Sequence, residues 1–217
     1  MLQFCVNIMN FDHIAPIYNI GENIFFGNQL NLARTVFTDE LMNSRSVLLL
    51  GEGRGKFLQE LLAINHCCSV TIVDSSTRMI RYQKSIVTKA NFDRVNFHCV
   101  SIETFSTNQK FDLICSFFFW DCFTVQQINK LVPYCSTLLL TKGLWINSDF
   151  IDLMNHRNYT NYFKIRLLYL FFHLTTGIRA WRVEPFKFFA EENGLRLLKI
   201  DETKKNFIST ELYQKII

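Results

Sequence analysis

The sequence predicts an α/β domain: a mostly parallel, seven-stranded sheet with helices on both faces and an antiparallel C-terminal hairpin. Two observations predict it. From residue 46 to about residue 150, short apolar runs alternate with segments of helical spacing, the pattern of parallel strands joined by crossover helices. Beyond Gly194, two strand-like runs follow one another with no helix between them, which points to an antiparallel pair.

Taken in order, residues 1–45 read as an N-terminal helical segment. Within it Leu30, Ala33, Val36, Phe37 and Leu41 give Asn28–Met42 one apolar face. Ser46–Leu50 is an unbroken apolar run followed at once by glycine, and Phe57, Leu58, Leu61 and Leu62 then recur at helical spacing. Val70–Val73 is a second, β-branched run ending at Asp74, and Thr77–Lys89 reads as helix. Val95–Val100 is a third strand, in which Val95, Phe97 and Cys99 alternate; Phe111–Phe118 is a fourth and Leu144–Ser148 a fifth. Unbroken apolar runs are what strands covered on both faces show. Glu184–Asn193 reads as a short helix closed by Gly194 in the C′ position. Leu195–Asp201 and Phe207–Ile217 then pair across the polar stretch Glu202–Asn206.

Composition bounds the function. The 217 residues fit a single domain, and a chain that is 49% hydrophobic and 19% charged is not disordered. With 22 Phe against 8 Gly and 3 Pro, a large core is expected and long linkers are not. A net charge of +4 is too mild to mark a nucleic-acid binder. The seven cysteines (Cys5, Cys67, Cys68, Cys99, Cys115, Cys122, Cys135) are odd in number and include no CxxC pair. Neither a metal site nor a disulfide framework is expected, and a reducing cytoplasm is the simplest setting. Met1–Asn10 lacks the cationic start and apolar run of a secretory signal. The most apolar run, Leu167–Leu174, is shorter than the roughly 20 residues of a spanning helix.

Three of the eight glycines fall within five residues, Gly51, Gly53 and Gly55, directly after a strand and opening a helix. Glycine there lets the backbone turn sharply and approach a ligand, and in parallel sheets ligands sit at the carboxyl ends of the strands. A nicotinamide-dinucleotide fold wants GxGxxG, which would place glycine at position 56, where Lys56 stands.

Four segments in order carry a resemblance: FDHIAPIY over Phe11–Tyr18, VLLLGEGRG over Val47–Gly55, IVDSSTRM over Ile72–Met79 and FDLI over Phe111–Ile114. Together they resemble the class I S-adenosylmethionine (SAM)-dependent methyltransferases, by motif from Phe11 to about Phe150 and by strand order beyond. The resemblance implies a Rossmann-like fold, SAM as cofactor, and Gly51, Gly53 and Gly55 as its cradle. It implies that Asp74, 23 residues after Gly51, accepts hydrogen bonds from the ribose diol, with Ser75 beside it; the alternative is a helix N-cap. Met79 is placed against the adenine, or else in ordinary helix core. Ser101 and Ile102 stand where the family commonly has an acid followed by a small apolar residue. The backbone contact survives there, the side-chain acceptor is weaker, and Glu103 is the nearest substitute. Leu49 stands where an acid is often found, and Glu52 is the nearest replacement, facing the methionine end of the cofactor or simply solvated.

The resemblance places the methyl-acceptor site at the end of the fourth strand, SFFFWDCF over Ser116–Phe123, with Phe117 at the cofactor. The Asn/Asp-Pro-Pro-Tyr run of many nucleic-acid methyltransferases is not found there. The aromatics suggest an apolar or aromatic small-molecule acceptor, although core packing would claim at least two of Phe117, Phe118, Phe119 and Trp120. Candidate general bases are Asp121, Asp149, His13 and Tyr18, of which the two aspartates read alternatively as helix caps and Tyr18 as a residue closing over the cofactor.

Between the fifth strand and the last helix, residues 151–183 form an expected helical cap. Tyr159, Tyr162, Phe163, Leu167, Leu170, Phe171 and Leu174 make one stripe, with Ile165, Leu168, Tyr169 and Phe172 beside it. Residues 151–190 carry six basic and two acidic side chains. A basic, aromatic helix fits a lid over the acceptor site, a membrane-surface contact, a homodimer face or plain packing. The function expected is SAM-dependent methylation of a small molecule such as a lipid, quinone or secondary-metabolite precursor; the alternative is a non-catalytic, methyltransferase-like binding or scaffold module.

Overall fold

The computed structural model describes residues 28–151, 185–202 and 208–216. Its strands are β1 (Ser46–Leu50), β2 (Ser69–Val73), β3 (Val95–His98), β4 (Phe111–Phe117), β5 (Leu139–Phe150), β6 (Leu195–Glu202) and β7 (Ile208–Lys215). The helices are α1 (Gln29–Thr35), α2 (Thr38–Asn43), α3 (Lys56–Ile64), α4 (Thr77–Ile86), α5 (Val125–Leu138) and α6 (Phe186–Glu192). The strands form one seven-stranded sheet in the order β3-β2-β1-β4-β5-β7-β6. The first five are parallel, and β7 runs antiparallel between β5 and β6.

The central strand explains the layering. Side chains alternate across a strand, and β1 sends Leu48 and Leu50 to one face, Val47 and Leu49 to the other. On the first face they meet Ile128, Leu131 and Cys135 of α5 and Phe186, Phe189 and Ala190 of α6. On the second they meet Leu41 of α2, Phe57, Leu58 and Leu61 of α3 and Ile80 of α4. Helices therefore cover both faces, as the unbroken apolar runs predict.

Four details differ from the pattern read in the sequence. The helix expected over Asn28–Met42 is two, broken at Phe37 (φ −103°, ψ 57°), whose ring turns into the core. The third strand stops at His98, because β3 is the sheet edge and Cys99 and Val100 are exposed. No helix joins β3 to β4: with only Ile102 and Phe105 to bury, the connection makes one turn, in which Thr104 and Phe105 N–H groups donate to the Ser101 carbonyl (3.0 and 2.9 Å). The fifth strand begins at Leu139 rather than Leu144. Its register with β4 shifts between Phe111↔Leu139 and Leu113↔Leu144, which leaves Leu140, Thr141 and Lys142 exposed and breaks the apolar run.

One buried side chain ties three elements together at the amino edge of the sheet. Asn65 Nδ2 donates to the carbonyls of Leu41, Met42 and Ser44 (2.8, 3.2 and 2.8 Å), while its Oδ1 accepts from the N–H groups of Cys67 and Cys68 (3.0 and 2.9 Å). Backbone groups stripped of such a partner in the interior cost about 1–3 kcal/mol each. Asn65→Ala is therefore expected to lower stability by about 3 kcal/mol, seen in urea unfolding as a lower midpoint at unchanged slope.

Candidate functional site

The site is built where β1, β2, β4 and β5 end. Past Leu50 the Gly51 N–H still pairs with the Val73 carbonyl (3.0 Å), and the chain then turns off the sheet. Gly51 and Gly53 lie at φ +63° and +66°, the left-handed region that side chains avoid. A Cβ on Gly51 would run into the Phe119 ring, whereas one on Gly53 would meet no protein atom within 4 Å. The loop is thus walled at its first glycine and open at its second. A pocket opens here, its lining including Arg34, the loop itself, Phe117 and Phe118.

Glu52 projects inward from this loop. Its Oε1 accepts from the Leu58 N–H (3.0 Å), so the carboxyl caps the exposed start of α3. Burial pushes its pKa up to about 7, against the opposing pull of that backbone bond and of the nearby Arg34 guanidinium. Leu49 is fully in the core and contributes no polar group.

Asp74, at the end of β2, is buried and well partnered. Its Oδ1 accepts from the Ser76 N–H (2.9 Å), and its Oδ2 from the Gly53 N–H and the Gln83 Nε2 (3.3 Å each). It is not the cap of α4: that task falls to Ser76, whose hydroxyl accepts from the Met79 N–H (3.2 Å). Ser75 is half-buried next to Asp74, and Met79 is buried one turn into α4. Gln83 lies outside the site expected from the sequence motifs. The signal for it is a polar residue on the buried stripe Met79, Ile80, Gln83 of an otherwise polar helix.

At the end of β3, Ser101 is half-buried and its carbonyl closes the turn described above, while Ile102 goes into the core. Glu103 is exposed and held by Gln127 Nε2 (2.9 Å).

The end of β4 is organised by one hydroxyl. Ser116 Oγ donates to Asn147 Oδ1 (2.8 Å) and accepts from both Trp120 Nε1 (3.1 Å) and Trp145 Nε1 (2.9 Å). Phe117 and Trp120 are core residues, Phe117 meeting the Phe57 ring edge-on at 4.6 Å. Phe118 and Phe119 are only partly buried. Phe118 has φ +53°, uncommon for a bulky side chain, and is held by its N–H donating to the Ser148 carbonyl (2.7 Å). Its ring lies 5.0 Å from that of Phe150, with the Arg34 guanidinium 5.4 Å above it.

Anchored by Trp120, the following turn brings Asp121 next to Asp149, near the end of β5. The Asp121 backbone N–H serves the Asp149 carboxyl, as does the Phe150 N–H (2.8 Å). Burial raises the Asp121 pKa to about 6; burial and the neighbouring Asp121 charge raise that of Asp149 well above the usual carboxylate range. The Cys122 thiol donates to Asp121 Oδ1 (3.4 Å), and burial keeps it protonated. Neither aspartate is a cap of a described helix: α5 is capped by Thr124, which forms a capping box with Gln127, and Asp149 lies within a strand. Tyr18, His13 and the cap expected over residues 151–183 lie outside the described residues, apart from Ile151. Among the described residues no group of three or more His, Cys, Asp or Glu is placed to hold a metal, and no helix is long and apolar enough to cross a membrane.

Comparison with known proteins agrees with this fold. Residues 47–143, from β1 to the early part of β5, match the family model of the methyltransferase domain. No curated protein matches the chain in sequence. Among solved structures, the N-methyltransferase NodS from Bradyrhizobium japonicum, in complex with S-adenosyl-L-homocysteine (SAH), is similar at 15% identity and a TM-score of 0.65, covering 91% of each chain. Mycolic acid cyclopropane synthase CmaA1, complexed with SAH and CTAB, is similar at 11% identity and a TM-score of 0.69 over 86% of this chain and 84% of its own. The mitomycin 7-O-methyltransferase MmcR is similar at 13% identity and a TM-score of 0.68 over 94% of this chain and 60% of its own. Residues 47–143 match the methyltransferase domain family, and the chain has the class I SAM-dependent methyltransferase fold.

Proposed function

We propose that the protein is a SAM-dependent methyltransferase of a small, apolar or aromatic acceptor, such as a lipid, quinone or secondary-metabolite precursor. The observation that carries the reading is the open space in front of Gly53, directly beside the buried Asp74 carboxyl. Its neighbours Gly51 and Gly55 are both closed off by protein side chains, so the loop offers its backbone to a ligand at Gly53. The residues fit a nucleoside-bearing cofactor, with Asp74 for the ribose hydroxyls, the loop N–H groups for close approach, and Glu52 and Arg34 for the charged methionine end.

Bound SAM supplies a methyl group already activated on a positively charged sulfur. The chain has to align the acceptor and keep water out. Phe118 and Phe119, both partly exposed, present aromatic surface at the end of β4 for that purpose. Where the acceptor carries a proton that must leave, the Asp121–Asp149 pair can take it. The named activities of similar structures, N-methylation, O-methylation of mitomycin and cyclopropanation of mycolic acids, support a small-molecule acceptor of this chemical range. The second reading, a binding module without turnover, is favoured by the loss of acids at two contact positions: Leu49 is core, and Ser101 stands at the other, where the substitute acid Glu103 is held by Gln127.

Calorimetry with SAH separates the readings. The wild-type protein is expected to bind it, Gly53→Val to abolish binding at a stability cost confined to the backbone strain of a side chain at positive φ, and Asp74→Ala to weaken it by about 1.5–3 kcal/mol. Gly51→Val, by contrast, should destabilise the fold through Phe119. A wild-type protein that binds neither SAM nor SAH would end the enzyme reading.

Asp121 deprotonates as pH rises through about 6. A base acts in its deprotonated form, so turnover of a proton-bearing acceptor should fall as pH drops below that value. Asp121→Asn should lower turnover by about 100-fold or more and leave SAH affinity intact. Undiminished turnover in this variant would reduce Asp121 to an orienting role.

A further inference from the structure

Gln83 is a fully buried amide on α4, and its placement is unusual in three respects. Its Nε2 donates to the Gly53 carbonyl (2.8 Å) and to Asp74 Oδ2 (3.3 Å), the same oxygen that accepts the Gly53 N–H. The three residues thus close a ring across the β1 loop, the end of β2 and α4. Its Cα and Cγ lie 3.3 Å from where a Cβ on Gly55 would sit, so the side chain threads between the second and third loop glycines. Its Oε1 is buried and accepts no hydrogen bond. An unpaired buried carbonyl is a standing cost that an apolar side chain of the same length would avoid. Packing does not account for an amide here; the two bonds it makes do.

We propose that Gln83 is a positioning residue for the cofactor, fixing the Asp74 carboxyl and the Gly53 peptide in one geometry so that ribose is met by a preset acceptor. The inference rests on the methyltransferase reading, but concerns a residue that does not itself have to touch SAM. An acceptor held by a buried donor loses less on binding than one that must be ordered first. With Gln83 replaced by an apolar residue, Asp74 keeps its Ser76 and Gly53 partners but its Oδ2 loses the side-chain donor that fixes it to α4, and the Gly53 carbonyl loses its anchor.

A double-mutant cycle tests this, read by calorimetry with SAH on wild type, Gln83→Met, Asp74→Ala and the double variant, with folding checked by urea unfolding. Gln83→Met is expected to weaken SAH by roughly tenfold or more, the scale of a lost charge-assisted bond. In the Asp74→Ala background the same change should cost less than about threefold, because the group it positions is gone. A merely structural role moves the unfolding midpoint but not this coupling. If Gln83→Met does not fold, Gln83→Glu, equal in size, replaces the donor with an acid facing Asp74, and the same cycle is run with it. Unchanged SAH affinity in the Gln83 variant, or losses that simply multiply in the double variant, overturns the proposal and leaves the enzyme reading standing. A wild-type protein that binds no SAH overturns both.

Discussion

Burial of β1 on both faces is the constraint from which the rest of the molecule follows. Every side chain from Val47 to Leu50 is in the core, and β2 and β4 pair with this strand in parallel on either side. Parallel strands put their carboxyl ends at one edge, so the residues after Leu50, Val73 and Phe117 are delivered together. The chain leaving β1 has a neighbour on each side and the Phe119 ring overhead. Only a residue with no side chain and access to positive φ turns there, which is why glycine stands at position 51. The same crowding turns the loop back toward the end of β2, where the Gly53 N–H meets Asp74.

Four carboxyls gather at this edge, and their surroundings divide them. Asp74 is met by N–H donors from the cap residue of α4, from the glycine loop and from Gln83, an arrangement that favours a fixed acceptor. Glu52 caps α3 yet is pushed toward neutrality by burial. Asp121 and Asp149 are neighbours in an aromatic setting, and burial together with their mutual repulsion favours one shared proton. Burial thus raises the pKa values of Glu52, Asp121 and Asp149 alike, the kind of perturbation that functional sites concentrate.

Packing and site are not separable at the end of β4. The Ser116 hydroxyl satisfies two indole N–H groups and an asparagine at once, so Trp120 and Trp145 can be buried without a polar loss. Trp120 stacks on Phe186 of α6 at 5.8 Å, which carries the first layer of the core to the turn that holds Asp121. The position of a candidate base is in this way set by a serine at the end of a strand.

The sequence alone determined the sheet. Apolar runs buried on both faces, glycines after the first of them, and two strands without a helix between them are local patterns, and the order of elements follows from them. It also marked Gly51, Gly53, Asp74, Asp121 and Asp149, because loop glycines and acids at strand ends are visible one position at a time. Tertiary structure alone decided what those residues do to each other. Gln83 is nine positions from Asp74 and 30 from Gly53, and becomes their common partner only when α4 docks on the loop. The pairing of Asp121 with Asp149 depends on β4 and β5 lying side by side, and the exclusion of Glu103 on its reaching Gln127 instead. Hydrogen bonds and desolvation act over a few ångströms in space, and spacing along the chain carries no measure of that distance until the layers have packed.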